Sequence, residues 1–377
     1  MKRVYLDNAA TTPLLPEVID TMVQTMNTTF GNPSSTHAFG RSAKAVVENA
    51  RKQIAKHLQC TTSEIVFTSG GTEADNLILK NAVHHLGVTH IITSAIEHHA
   101  VLHTVEFLAK KRITISYVNT LANGTLDYQH LETLLAGSNQ KTLISLLHVN
   151  NEIGTILDLE KVIALKNQYK ALFHSDTVQS VGHFNIDLSI LDIDFIAASA
   201  HKFHGPKGIG FAFFRKGTAI QPEILGGEQE RGTRAGTENT AAIVGMQTAL
   251  TLCLRNLNDD IAYLKTLKQY FITEITTKIP NVKFNGVSAH LNQSTHTVVN
   301  VQFDKDLPML LFQLDLKGIA VSGGSACQSG AHKGSHVLQS FLNDAEQQNT
   351  SVRFSFSKLT TKEEVDYVVG ELVGMVY

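Results

Sequence analysis

Lys202 follows an apolar run, Asp194–Ala198, that ends in Ser199-Ala200-His201-Lys202. A lysine just past a strand end, walled into a pocket, can condense with an aldehyde to give a Schiff base. Asp176 closes another such run, Leu172–Ser175, with Gln179 one turn later. A carboxylate there is suited to keep a pyridinium nitrogen protonated, which makes the ring an electron sink. Gly70-Gly71-Thr72-Glu73 follows Glu64–Ser69 and opens a helical pattern. Free N–H groups at a helix N-terminus, with the Thr72 hydroxyl, suit a phosphate. Ser199 and His201 offer further donors to it. His98 is placed to stack on a ring, and Gln179 and Asn151 to bond a ring hydroxyl. An aldehyde, a phosphate and a basic ring nitrogen on one ligand describe pyridoxal phosphate (PLP).

These residues need a frame that collects them. Apolar runs of strand length occur at Glu64–Ser69, His90–Ala95, Thr114–Asn119, Thr142–Val149, Leu172–Asp176, Asp194–Ala200 and Gly208–Arg215. Helical patterns such as Glu73–His85, Val101–Lys111 and Leu159–Lys170 lie between them. Runs rich in Ile, Val and Phe without polar alternation predict a sheet covered on both faces. The alternation predicts an α/β sandwich with a mostly parallel sheet. Ligands bind such a sheet outside the carboxyl ends of its strands. Every residue named above falls on that rim.

The pattern changes after about Leu254. A long helix, Asp259–Lys278, leads into strands at Val282–Asn285 and His296–Phe303. A helix at Pro308–Lys317, strands at Ile319–Ser322 and Val352–Phe356 and a last helix at Thr360–Val376 follow. The expected division is a large cofactor-binding domain, 15–254, and a smaller α+β domain, 1–14 with 255–377. The first strand is expected to join the smaller module, because chain ends often meet.

Composition narrows the class. The chain has 377 residues and a formal net charge of −2, so no global field recruits nucleic acid or an anionic membrane. No apolar run is long enough to span a bilayer, and the first residues carry no signal-peptide pattern. Cys60, Cys253 and Cys327 form neither a disulfide framework nor a zinc spacing, which predicts a reducing cytoplasm. His99 with His103, and His332 with His336, stand at i, i+4. With 18 histidines such pairs arise by chance, and no metal site is expected.

The chain also resembles a known family. Leu6-Asp7-Asn8-Ala9-Ala10-Thr11-Thr12, Gly31-Asn32-Pro33-Ser34-Ser35 and Phe67-Thr68-Ser69-Gly70-Gly71-Thr72-Glu73 look like stretches of cysteine desulfurases. So do His148-Val149-Asn150-Asn151-Glu152-Ile153-Gly154 and Ser199-Ala200-His201-Lys202-Phe203-His204-Gly205-Pro206-Lys207-Gly208. Arg231-Gly232-Thr233-Arg234-Ala235-Gly236-Thr237, Ser322-Gly323-Gly324-Ser325-Ala326-Cys327 and Val352-Arg353-Phe354-Ser355 complete the set, in family order. That family belongs to the class V aminotransferase group of fold type I PLP enzymes. Ala200, where many relatives have Gly, and Thr177-Val178 depart from its common spelling without removing a chemical group. The stretch Gln328–Gly334 is this chain's own version, which leaves the choice of acceptor open.

The resemblance implies a three-layer α/β domain plus a smaller α+β domain, and a role for each matching residue. Lys202 carries PLP and moves protons, His98 stacks on the cofactor, and Asp176 pairs with its ring nitrogen. Gly71, Thr72, Ser199, His201 and Thr237 hold phosphate, Thr237 reaching in from the partner subunit of a homodimer. Asn151 and Arg353 hold the carboxylate of L-cysteine. Cys327 takes sulfur as a persulfide, leaving L-alanine, and passes it to an acceptor such as an iron–sulfur scaffold or a tRNA thiolation enzyme. His98 is also a candidate acid/base near the substrate thiol.

Each residue has a plainer reading. Lys202 alone is a surface lysine, Asp176 a turn cap, Arg353 a structural ion pair and Cys327 a buried thiol like Cys60 and Cys253. Rival functions are a selenocysteine lyase, another class V PLP transaminase or lyase, and a non-catalytic scaffold. Cys327 argues against a plain transaminase, which needs no thiol.

Overall fold

The computed structural model describes residues 2–323 and 334–376. Cys327 and His332 lie outside the described residues. The strands of the main sheet run, in spatial order, Ile65–Thr68, Gly210–Phe214, Phe195–Ser199, Leu172–Asp176, Thr142–Ser145, His90–Ser94 and Thr114–Val118. Neighbouring pairs are parallel except those made by Gly210–Phe214, which runs antiparallel to both neighbours.

The predicted covering of both faces is present. Alternate residues of one strand enter different cores, as the two-residue period of a strand requires. Phe195 and Ala197 pack with Ala74, Leu77 and Ile78 of the helix Gly71–His84. Ile196 and Ala198 join Val18, Val47, Ile54, Ile243 and Met246 on the opposite face. Those side chains come from the helices Pro16–Thr28, Ala38–His57 and Thr240–Arg255. Full burial of each such Phe or Ile contributes roughly 1.5–3 kcal/mol.

A second core surrounds a three-stranded sheet in the order Ser351–Ser355, Val298–Gln302, Lys283–Phe284. Phe271 of the helix Leu257–Lys278 packs its ring 4.9 Å from that of Phe354 and 5.4 Å from that of Phe356. Val4–Tyr5 pairs in parallel with Ile319–Ala320, so the start of the chain meets its last fifth. Asn8 and Ala9 then bond Ser355, which carries the chain to the mouth of the main sheet.

Candidate active site

The strand ends of the main sheet converge on a cavity of about 530 Å³. Its lining includes Gly71, Thr72, His98, Asn151, Asp176, Gln179, Ser199, His201, Lys202 and Arg353. The rim read from the sequence is therefore one place in space. Thr237 is exposed and outside the lining of its own chain's cavity.

Close packing at the sheet edge builds the phosphate end. The helix Gly71–His84 starts against the end of Phe195–Ser199. A Cβ on Gly71 would stand 2.5 Å from Val178 Cγ2, and one on Gly210 would stand 2.2 Å from the Ala198 carbonyl oxygen. Only glycine fits at such separations. The first N–H groups of a helix have no intrahelical acceptor. Thr72 of this helix, Ser199 and His201 line the cavity together with its first residue, Gly71. The His201 Nδ1 is buried with no hydrogen-bond partner among the described residues. An orphaned imidazole nitrogen beside a helix N-terminus fits a phosphate group.

Lys202 lines the same cavity, in the short turn that follows Ser199. Its Nζ donates to the carbonyls of Ala9 at 2.6 Å and Ala10 at 2.8 Å. Gln179 Nε2 donates to the same Ala9 oxygen at 2.9 Å. Asp176 is 6% exposed, and its Oδ1 accepts from the Val178 N–H at 2.9 Å. Burial pushes its carboxyl up to about 6, against the lowering effects of that hydrogen bond and of Lys202. A cationic ring nitrogen would complete the stabilisation of this carboxylate.

His98 caps the helix His99–Ala109, its Nδ1 accepting from the Ala100 N–H at 3.1 Å. The proton of the neutral ring therefore sits on Nε2. Burial, then the charges of Lys202, His336 and His103, push its pKa down to about 4. His201 is held down at about 4 by burial, Lys202 and Lys207. Both rings are neutral at pH 7, as donors and aromatic surfaces rather than cations.

Arg353 is 1% exposed. Its Nη1 donates to the Asn151 carbonyl at 2.9 Å and its Nη2 to Asp7 Oδ1 at 2.8 Å. Ser322 Oγ donates to that Asp7 oxygen at 2.8 Å. The Arg353 Nε is buried without a partner among the described residues, a donor that fits an incoming carboxylate. The bland expectation for Arg353, a structural ion pair, is thus part of the picture alongside the open donor.

Several contributors escaped the sequence reading. The Ala9 and Ala10 carbonyls carry no side-chain signal. Asp75 lines the cavity four residues after Gly71, on the same helix face, and that spacing was its one available sign. Glu97 is buried beside His98 and accepts from Ser94 Oγ at 2.6 Å. In the loop that carries Thr237, Glu230 and Arg234 serve as ties. Glu230 takes a bidentate pair from Arg51 at 2.7 and 2.8 Å and the Phe67 N–H at 2.8 Å. Arg234 grips Glu73, in the first turn of the phosphate-facing helix, at 2.7 and 3.1 Å. The histidine pairs also gained a neighbour. The His99 ring lies 4.9 Å from His103 and 4.5 Å from His336, as a stack rather than as ligands converging on one point.

Residues 4–368 match the family described as aminotransferase class-V. The chain is 42% identical over 378 residues to cysteine desulfurase IscS of Dictyoglomus turgidum, covering 99% of this chain and 94% of that protein. It is 39% identical to putative cysteine desulfurase IscS 1 of Bacillus subtilis, over 97% of this chain and 96% of that one. Among solved structures, a NifS-like protein superposes with a TM-score of 0.91 at 34% identity, covering 100% of this chain and 99% of the other. A NifS-like protein from Rickettsia africae gives 0.88 at 32% identity, over 99% of each chain. SspA, solved in complex with cysteine, gives 0.83 at 32% identity, over 95% of this chain and 100% of its own.

Proposed function

The chain belongs to the class V aminotransferase family, and from that premise we infer that it is a PLP-dependent cysteine desulfurase. The observation that carries this reading is the single cavity holding Lys202, Asp176, His98 and the N-terminus of Gly71–His84. In it Lys202 would hold the cofactor aldehyde, Asp176 the ring nitrogen, and Thr72, Ser199 and His201 the phosphate. Bound PLP supplies an electron sink for charge that develops at the substrate Cα.

The protein's own groups do the rest. Arg353 and Asn151 orient the carboxylate of L-cysteine. Lys202 Nζ, released from the Ala9 and Ala10 carbonyls, takes the Cα proton and returns it during turnover. Neutral His98 would stack on the bound cofactor ring with its Nε2–H toward the substrate sulfur, and its acid/base role needs the other tautomer, with Nε2 free to take the thiol proton. The Cys327 thiolate attacks the substrate sulfur. An S–S bond forms, the substrate C–S bond breaks, and its electron pair stays with the carbon skeleton that leaves as L-alanine. The Cys327 persulfide then passes sulfur to an acceptor protein, an iron–sulfur scaffold or a tRNA thiolation enzyme, in the cytoplasm.

A homodimer belongs to this reading. Thr237 is exposed and outside its own cavity, and Ile19, Val23 and Met26 on the helix Pro16–Thr28, Phe30 just after it and Phe39 on the next helix are exposed apolar side chains. A second copy would cover those side chains and bring its own Thr237 to the phosphate. The boundaries 15–254 and 1–14 with 255–377 remain our division into domains. No helix among the described residues is long and apolar enough to cross a membrane.

The test is cysteine with a reductant. Alanine and sulfide should form in equal amounts, and Cys327→Ser should abolish both while retaining the visible band of the bound cofactor. Formation of neither product by the wild type, or full sulfide release by Cys327→Ser, would refute the assignment.

A further inference from the structure

Beneath the cavity lie more buried acids than the proposed chemistry uses. Asp75 is 1% exposed and lines the cavity with Asp176. Its Oδ1 lies 3.3 Å from His174 Nε2, and His174 is fully buried. On its far side, His174 Nδ1 lies 2.9 Å from Ser145 Oγ. Burial pushes the imidazole down to about 3, so His174 is neutral. Where Nδ1–H donates to Ser145 Oγ, Nε2 presents a lone pair toward Asp75; the other tautomer would instead turn an Nε2–H toward an ionised Asp75. Neither Asp75 Oδ1 nor His174 Nε2 has a hydrogen-bond partner among the described residues. Two adjacent buried atoms of this kind are satisfied at once if a proton lies between them.

Charge balance places that proton on Asp75. Burial and the nearby Asp176 and Glu97 carboxyls all raise the Asp75 carboxyl well above its usual range. Glu97 is raised as well, mainly by burial. The lowering influence of Lys202 falls on Asp176. Carboxyls this close in a dry site do not all ionise.

We propose that Asp75 is a positioning residue: it stays a neutral carboxylic acid, donates its proton to a hydrogen bond with His174, and so leaves Asp176 as the ionised partner of the cofactor's ring nitrogen. This rests on the reading of Asp176 given above. The chain Asp75–His174–Ser145 then runs donor to acceptor in one direction and fixes the floor of the cavity.

Infrared spectra of the holoenzyme test the protonation state directly. A carboxylic-acid C=O band should be present at mildly alkaline pH, and it should persist in Glu97→Gln, which removes the other carboxyl that burial raises well above its usual range. Asp75→Asn, a permanently neutral donor, should remove the remaining band. The same variant should keep the cofactor dissociation constant within about threefold and leave the pH midpoint of the visible band in place. Asp176→Asn, by contrast, should weaken the cofactor about tenfold or more. Absence of the acid band in Glu97→Gln holoenzyme overturns the proposal without needing any Asp75 variant to fold. So does an Asp75→Asn protein that loses cofactor as Asp176→Asn does. If Asp176→Asn has no effect on cofactor, the underlying site assignment fails instead.

Discussion

Arg353 and Asp7 share one part-buried hydrogen bond, Nη2 to Oδ1 at 2.8 Å, so the guanidinium expected to bind substrate already has a carboxylate partner. The substrate carboxylate and Asp7 compete for the same charge. Arg353→Lys loses the planar fork and should raise KM for cysteine about tenfold or more. Asp7→Asn should act in the opposite sense on KM and lower it. It should also destabilise the fold by about 3 kcal/mol, because the guanidinium loses its counter-charge. Steady-state kinetics and denaturant melts read the two effects separately.

Gly71 is fixed by contact rather than by chemistry. Gly71→Ala forces a methyl to within 2.5 Å of Val178 Cγ2. The helix N-terminus should shift, at about 1–3 kcal/mol, and cofactor affinity should fall about tenfold. Val178→Ala removes the opposing methyl and should restore most of the affinity in the double variant. Equilibrium cofactor titration of the four proteins checks this. An additive double variant would show that the phosphate end tolerates the shift.

His98 gives a pH signature. Its pKa is depressed from 6.5 to about 4 in the fold. A depressed histidine contributes stability that is present above its unfolded pKa and is lost as pH falls through the folded one. Wild type should therefore lose up to about 3 kcal/mol relative to His98→Gln between pH 7 and pH 4. The buried carboxyls contribute slopes of the other sign, but they are common to both proteins and cancel in the difference. In turnover, His98→Gln should reduce kcat by about 10²–10⁴ if the ring moves the thiol proton.

Glu230 is the anchor of the Thr237 loop. Glu230→Gln leaves the buried Arg51 with only the exposed Glu48 carboxylate as its anion and should cost about 3 kcal/mol. The loss should show as a lower denaturant midpoint. Because the loop also reaches Glu73 through Arg234, cofactor affinity should fall with it.

The legible part of this molecule is the part written in side chains at strand ends. Leu172–Asp176 and Phe195–Ser199 end where their apolar runs end, so Asp176, Ser199 and Lys202 could be placed on one rim before any contact was known. Strand direction has no such mark. Gly210–Phe214 is as apolar as the parallel strands of the sheet, and only its pairing shows that it runs the other way. The Ala9 and Ala10 carbonyls were invisible because every residue carries one. Asp75 lies inside a helix, where an acid normally signals a solvated face, and its burial depends on the sheet packed against it. Asp7 with Arg353, and Arg51 with Glu230, are pairs far apart in sequence, and no spacing rule joins them. Cys327, legible by resemblance, lies outside the described residues.

The Lys202 ammonium is held by residues from the start of the chain, and those residues are held by residues near its end. Val4–Tyr5 waits for Ile319–Ala320, and the Asn8–Ala9 segment waits for Ser355. During synthesis at about 5–20 residues per second, the main sheet emerges roughly 5–30 seconds before its mouth can close. The first ten residues stay undocked for that interval, and the lysine lacks two of its acceptors. Order of assembly is thereby written into topology: the sheet forms first, the mouth last, and cofactor capture follows chain completion instead of guiding it.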